Sequence, residues 1–263
     1  VLAALRGWRR NRILRQSQID NAQWQELVSH FAFAWTLDAA DQQRLKELVV
    51  LFLHEKHFST AAGLQLSAHM QLWVAIQACI LILGLGLEYY RGWSGIVLYP
   101  EQFVPRHQHM DEAGIVHQGD EPYAGEAWLG GPVVLSWADV QGTEYPDGVN
   151  VVIHEFAHKL DMLNGDANGY PPLHGGMSRA AWSQAFTAAY EDFCQRVDDG
   201  EDTDIDPYAS ESPGEFFAVL SEAFFEIPDV VQDEYPRIYE QLQAFYRQDP
   251  AARMMAAAAR LPG

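Results

Sequence analysis

Val151-Val152-Ile153-His154-Glu155-Phe156-Ala157-His158-Lys159-Leu160-Asp161 is the stretch on which the fold turns. Residues four apart on an α-helix share a face, so the imidazoles of His154 and His158 converge on one point. Val151, Val152, Ile153, Phe156, Ala157 and Leu160 surround them with apolar groups, which suits a helix buried in a core. Neutral imidazole nitrogens are zinc ligands, and Glu155, next to the first histidine, is placed to act as general base toward an attacking water. A purely structural zinc site has no need of a base there, so Glu155 argues for catalysis.

The rest of the chain must supply a third ligand. A histidine ten residues after His154 would mark one large zinc class, but that position is Asn164, with Asp161 where its glycine should stand. The other common solution is a glutamate on a second helix, a His₂Glu set with one open position. Ser212-Pro213-Gly214-Glu215-Phe216-Phe217-Ala218-Val219-Leu220-Ser221-Glu222-Ala223-Phe224-Phe225-Glu226 predicts such a helix, with Ser212 as N-cap and Pro213 in the first helical position. Glu215 is the leading candidate, although Ser212-x-x-Glu215 also reads as a capping box. Glu222, seven residues on and on the same face, is its rival, and Glu226 a weaker one.

His154 to Asp161, followed by Ile205-Asp206-Pro207-Tyr208-Ala209 and by Glu215-Phe216-Phe217-Ala218-Val219-Leu220-Ser221-Glu222, resembles the Mlc titration factor A family of bacteria. The likeness runs from the arginine-rich start to Tyr246-Arg247-Gln248-Asp249-Pro250. The zinc core alone is also similar to the catalytic domain of anthrax lethal factor, with a tyrosine seven residues before a glutamate that Phe-Phe-Ala follows. The resemblance implies a cytoplasmic zinc metallopeptidase of zincin-like fold. It implies one Zn²⁺ per chain, held by His154, His158 and Glu215, with Glu155 as base and Tyr208 as the phenol that stabilises the oxyanion. It further implies aminopeptidase action on short peptides with small or apolar N-terminal residues, and sequestration of a glucose-responsive transcriptional repressor. The alternative expectation is a regulatory binding protein in which catalysis is secondary. The carboxylates that would hold a substrate α-amine are not legible in the sequence.

At 263 residues, 48% hydrophobic and 20% charged, the composition is that of a globular protein. A net charge of −19 argues against direct nucleic-acid binding. Arg6, Arg9, Arg10, Arg12 and Arg15 form one local basic patch, read as a solvated, partly disordered N-terminus. Cys79 and Cys194 have no disulfide or metal spacing, which points to a reducing compartment. Leu72 to Leu87 falls short of the ~20 apolar residues of a membrane span and reads as a buried helix.

Asn21 to Phe33 and Asp41 to His54 carry helical periodicity, with Asp38 or Asp41 as cap of the second. From Gly95 the pattern turns to strands, at Ile96 to Tyr99, Gly114 to His117 and Pro132 to Trp137. His107, His109 and His117 lie among them without metal-site spacing. The strand before the zinc helix is the candidate to run along a cleft and pair with a substrate backbone. Asp161, one turn after His158, could orient a ligand imidazole. Pro228 reads as a stop and Pro236 as the start of a last helix to about Gln248, while the Ala-Met-rich C-terminus has no assignment. With no linker visible, the expectation is one α+β unit over 1–263, a helical N-terminal part to about 94 followed by the strand region and zinc helices.

Overall fold

Two aspartates, Asp20 and Asp38, mark helix starts in the N-terminal part. The structure, a computed structural model, describes residues 2–17, 19–100, 130–143 and 146–260. It begins with α1 (Leu2–Gln16), α2 (Asn21–Ser29), α3 (Ala32–Trp35) and α4 (Ala39–Glu55). Asp20 caps α2 by accepting from the N–H groups of Ala22 and Gln23, and Asp38, not Asp41, caps α4. The stretch expected as one helix from Asn21 to Phe33 is broken at His30–Phe31. Phe31 and Phe33 are both buried and stacked at 5.3 Å, with Phe31 edge-on to Trp73 at 4.8 Å. Two residues apart on a continuous helix would point to different faces; the break delivers both rings to the core.

The arginine-rich start is helical rather than disordered. Ile13 of α1 is buried against Val50 and Leu51 of α4, with Leu14 partly buried beside it, an apolar anchor that periodicity alone does not reveal. Trp8 on the same helix stays exposed.

A three-stranded parallel sheet follows, β1 (His57–Thr60), β2 (Gly95–Tyr99) and β3 (Val133–Ser136), in the order β1-β2-β3. Parallel neighbours need a crossover connection. Between β1 and β2 that crossover is α5 (Ala68–Leu81), buried on every face from Leu72 onward. The apolar run expected as a buried helix is therefore a core helix, and no described helix is long and apolar enough to cross a membrane. The expected strand at Gly114 to His117, and His107, His109 and His117, lie outside the described residues. His69 packs its ring on Trp73 at 5.4 Å, as befits a histidine without metal spacing.

After the short α6 (Trp137–Gly142) comes α7 (Val151–Asp161), which carries the two histidines. Its Phe156 meets Phe52, Tyr90 and Trp93 at centroid distances of 5.7, 5.2 and 5.6 Å, which seats α7 against α4 and the segment that leads into β2. Then follow α8 (Arg179–Asp198), α9 (Pro213–Glu226), α10 (Pro228–Glu234), α11 (Pro236–Tyr246) and α12 (Pro250–Ala258). Pro228 stands just past the end of α9 at Glu226, as the expected stop, and also occupies the first position of α10, where its missing N–H costs nothing. The Ala-Met-rich run forms a further helix, α12, capped by Asp249. The whole is a mostly helical α+β fold with a small sheet, consistent with a zincin-like architecture.

Candidate metal centre

α7 and α9 pack against each other and aim three donor atoms at one point. His154 Nε2 lies 3.0 Å from Glu215 Oε2, His158 Nε2 lies 3.2 Å from the same oxygen, and the two imidazole nitrogens are 3.1 Å apart. Among the described residues this is the one group of His, Cys, Asp or Glu side chains that could hold a metal ion. Ligand atoms ~2.0–2.1 Å from a tetrahedral cation sit about 3.3 Å from one another. A triangle with sides of 3.0 to 3.2 Å fits such an ion with little movement. The carboxylate among the imidazoles also fixes the electrostatics. Burial opposes a charge on His154, but its hydrogen bonds to Glu215 and Glu222 prevail and raise its pKa to about 10. Burial would raise Glu215, yet the two imidazoles hold its carboxyl well below the ordinary range.

The rival glutamates are both placed elsewhere. Glu222 Oε1 lies 2.7 Å from His154 Nδ1, behind the triangle, and Glu222 Oε2 accepts the backbone N–H of Asn150. Asn150 caps α7 through Ile153 N at 3.0 Å, and its amide donates to Gln77 Oε1 at 2.8 Å and to Glu226 Oε1 at 2.7 Å. A buried chain of polar groups thus ties α5, α7 and α9 together behind the histidines. Neither Asn150 nor Gln77 stands out in the sequence; an asparagine just before an apolar helical run was the signal available.

Burial lifts Glu226 to a pKa of about 8 from an ordinary 4.5, with the charges of Asp147 and Glu222 adding to it. The folded protein therefore keeps a proton that the unfolded chain releases, and stability falls as pH rises from about 4.5 to about 8. Glu226→Gln keeps the acceptor for Asn150 and cannot ionise. We expect the metal-free variant to match wild type near pH 4 and to exceed it at pH 9 by a few kcal/mol at most. Urea unfolding of both proteins across this range checks it; parallel pH profiles would refute the assignment of this proton.

Asp161 is buried one turn after His158. Its Oδ2 accepts the N–H of Gly169 at 2.7 Å, while Oδ1 and the Nδ1 of His158 are both buried with no hydrogen-bond partner. The expected orienting bond is thus not formed, although both groups are left to make one. Burial raises Asp161 to about 6.

The triangle opens into a cleft of about 500 Å³. Glu155 and Tyr208 line it, and the Tyr208 ring lies 6.0 Å from that of His154. Burial, reinforced by the carboxylates of Glu215 and Glu155, raises the Tyr208 phenol to about 12, so it stands as a hydrogen-bond donor. Along one side runs β3, whose Val134 and Ser136, with Pro132 just before it, line the cleft while Val133 and Leu135 are buried beneath. Within the described sheet β3 is an edge strand. Lys159 of α7 donates to Gly131 O at 3.0 Å and so fixes the approach to this strand against the histidine helix. Val149, Val151 and Val219 make the lining apolar, and Asp139 and Asp206 are carboxylates of the cleft outside the histidine cluster.

Comparison with known proteins agrees with this geometry. Residues 5–247 match the family model described as glucose-regulated metallo-peptidase M90. The chain is 39% identical over 236 residues to the Mlc titration factor A of Serratia proteamaculans (strain 568), covering 89% of each. It is 36% identical over 236 residues to the Mlc titration factor A of Yersinia pestis (strain Pestoides F), covering 89% of this chain and 87% of that protein. Matched over nearly its whole length, and with a His-His-Glu cluster at the meeting of two helices, the chain belongs to the glucose-regulated metallo-peptidase M90 family.

Proposed function

We propose that the chain is a zinc-dependent peptidase, an aminopeptidase on short peptides, holding one zinc through His154, His158 and Glu215. The convergence of these three donor atoms beside Glu155, in a cleft with an apolar lining, is the observation that carries the reading. Zinc, when bound, supplies Lewis acidity that polarises a carbonyl and makes water a nucleophile near neutral pH. Glu155 takes the proton of the attacking water and returns it to the leaving amine. Tyr208 donates its phenolic hydrogen to the oxygen on which negative charge develops. The likeness of its spacing from Glu215 to that in the anthrax lethal factor catalytic domain supports this role. An extended peptide adds itself to the edge of β3, and Asp139 and Asp206 are the carboxylates available for its α-amine.

A panel of free-amine and N-blocked peptides tests the reading. Hydrolysis should require the free amine, stop on chelation and return with zinc. Activity indifferent to chelation would overturn metal dependence, and equal cleavage of blocked peptides would overturn the aminopeptidase assignment. Tyr208→Phe should keep fold and metal and lose on the order of 10²-fold in kcat, because only a transition-state hydrogen bond is removed. A change confined to KM would instead make Tyr208 a substrate-positioning residue.

The relatives' name, a titration factor for Mlc, favours a second reading. In it the chain binds and sequesters a glucose-responsive transcriptional repressor in the cytoplasm, and hydrolysis is secondary. A purified repressor should then co-elute with both the wild-type chain and a catalytically dead variant. Failure of both to bind would remove this reading and leave the peptidase standing.

A further inference from the structure

A second cavity, of about 380 Å³, lies where the end of α5, the start of α4 and the α11–α12 junction meet. It shares no lining residue with the metal cleft. Arg44, Arg247, Arg253 and Arg260 line it, four of only 17 basic residues in a chain of net charge −19. Three aspartates, Asp38, Asp41 and Asp249, share the lining with them, one fewer than the arginines.

The aspartates of the lining are already engaged. Asp38 accepts the N–H of Asp41 at 2.8 Å, and Asp41 pairs with Arg44 at 3.2 Å. Asp249 accepts from Tyr239 Oη at 2.6 Å, Ala252 N at 3.1 Å and Gln243 Nε2 at 2.6 Å. The charges of Asp41 and Asp249 act on Arg253 from nearby, but its Nε and Nη2 are buried without a hydrogen-bond acceptor. A guanidinium drawn out of water without an acceptor is costly. Gln248 presents the complementary deficiency. Its Nε2 donates to Ile80 O at 2.7 Å, while its Oε1 is buried with no donor.

The cavity wall is held in an uncommon backbone conformation. Arg247 closes α11 with φ 54° and ψ 41°, a left-handed conformation that few non-glycine residues adopt. It sits against Gly84, where an added Cβ would come within 2.4 Å of Tyr246 O. The close approach of the two backbones sets Arg247 beside Gln248 and Asp249 at the cavity.

A ligand suited to these groups offers acceptor oxygens to the guanidinium forks and a hydrogen to Gln248 Oε1. We propose that this cavity binds a small oxyanion bearing a hydroxyl, specifically a phosphate monoester of a polyol. The planar fork of arginine matches phosphate oxygens in pairs, and the four guanidinium groups outnumber the three carboxylates of the lining. The hydroxyl supplies a donor to Gln248 Oε1 while the phosphate oxygens stay free to accept from the guanidinium groups.

Isothermal titration of the full chain with glycerol 3-phosphate, inorganic phosphate and glycerol, in phosphate-free buffer, tests the site. Saturable binding of one glycerol 3-phosphate per chain is expected, tighter than inorganic phosphate, with none for glycerol. Arg253→Gln and Arg247→Gly should each weaken it by about tenfold or more, since each removes a charged hydrogen-bond donor. Arg237→Gln, an exposed arginine outside the cavity, should leave it unchanged. Should Arg253→Gln fail to fold, Arg247→Gly decides, because that side chain is exposed and glycine accepts its positive φ. Absence of saturable binding, or equal binding by wild type and the two cavity variants, overturns the site. Inorganic phosphate bound as tightly as glycerol 3-phosphate overturns the hydroxyl assignment.

Discussion

Glu155→Gln should keep its metal and lose ~10²–10⁴-fold of the hydrolytic rate, the range that a positioned general base contributes. The three converging donor atoms belong to His154, His158 and Glu215, so the substitution leaves that triangle intact. Glu155 sits half-buried in the cleft wall on the same helix as both histidines. The amide of glutamine has the same shape and still accepts a hydrogen bond, but it cannot take a proton from water. Metal content by elemental analysis, read beside kcat on a free-amine peptide, separates the two properties. A variant with full metal and near-wild-type turnover would remove Glu155 from the mechanism. The same variant should still co-elute with a purified repressor, because the proposed sequestration does not use the base.

Much of this site is local in sequence and so could be read from it. The spacing of His154 and His158 fixes a shared helical face, and Ser212-Pro213 fixes where the second helix starts. Glu215 could not be separated from Glu222 for a reason the structure makes plain. They stand two turns apart on one face of α9, about 10 Å along its axis. Both reach the same imidazole, Glu215 at Nε2 and Glu222 at Nδ1, on opposite sides of the ring. Spacing reports that both face His154 and is silent on which nitrogen each meets. Asn150 and Gln77 were illegible because their partnership spans 73 positions, which no local pattern encodes. β1 was missed because His57-Phe58-Ser59-Thr60 is only four residues and is half-exposed, so its strand character comes from pairing with β2. α1 shows the same limit: Ile13 and Leu14 pack a helix onto α4 whose composition otherwise reads as a solvated tail.

Glu215→Gln and Glu222→Gln should therefore differ most in how far metal affinity falls. Glu215 caps nothing with its carboxylate that the structure shows; the cap of α9 is Ser212 Oγ, which accepts the N–H of Glu215 at 3.2 Å. Replacing that carboxylate removes a charged donor atom from a set of three, so metal affinity should fall by more than the ~10–100-fold typical of losing a group behind a ligand. Without metal the variant also loses the pairing of that carboxylate with the two imidazoles, so its stability falls too, and zinc affinity is the property that ranks the two variants. Glu222 is 3% exposed and uses both oxygens, one on His154 Nδ1 and one on the backbone N–H of Asn150. A glutamine there can satisfy only one of those donors with its single oxygen, and its NH₂ group faces the other. The unsatisfied buried group should cost about 1–3 kcal/mol of stability. His154 would keep its ring position less firmly, with a loss in metal affinity of about 10–100-fold. Zinc titration and urea unfolding of both variants, each with and without metal, resolve the pair. If Glu222→Gln loses more metal affinity than Glu215→Gln while remaining as stable, Glu222 is the ligand and the proposed set of three is wrong.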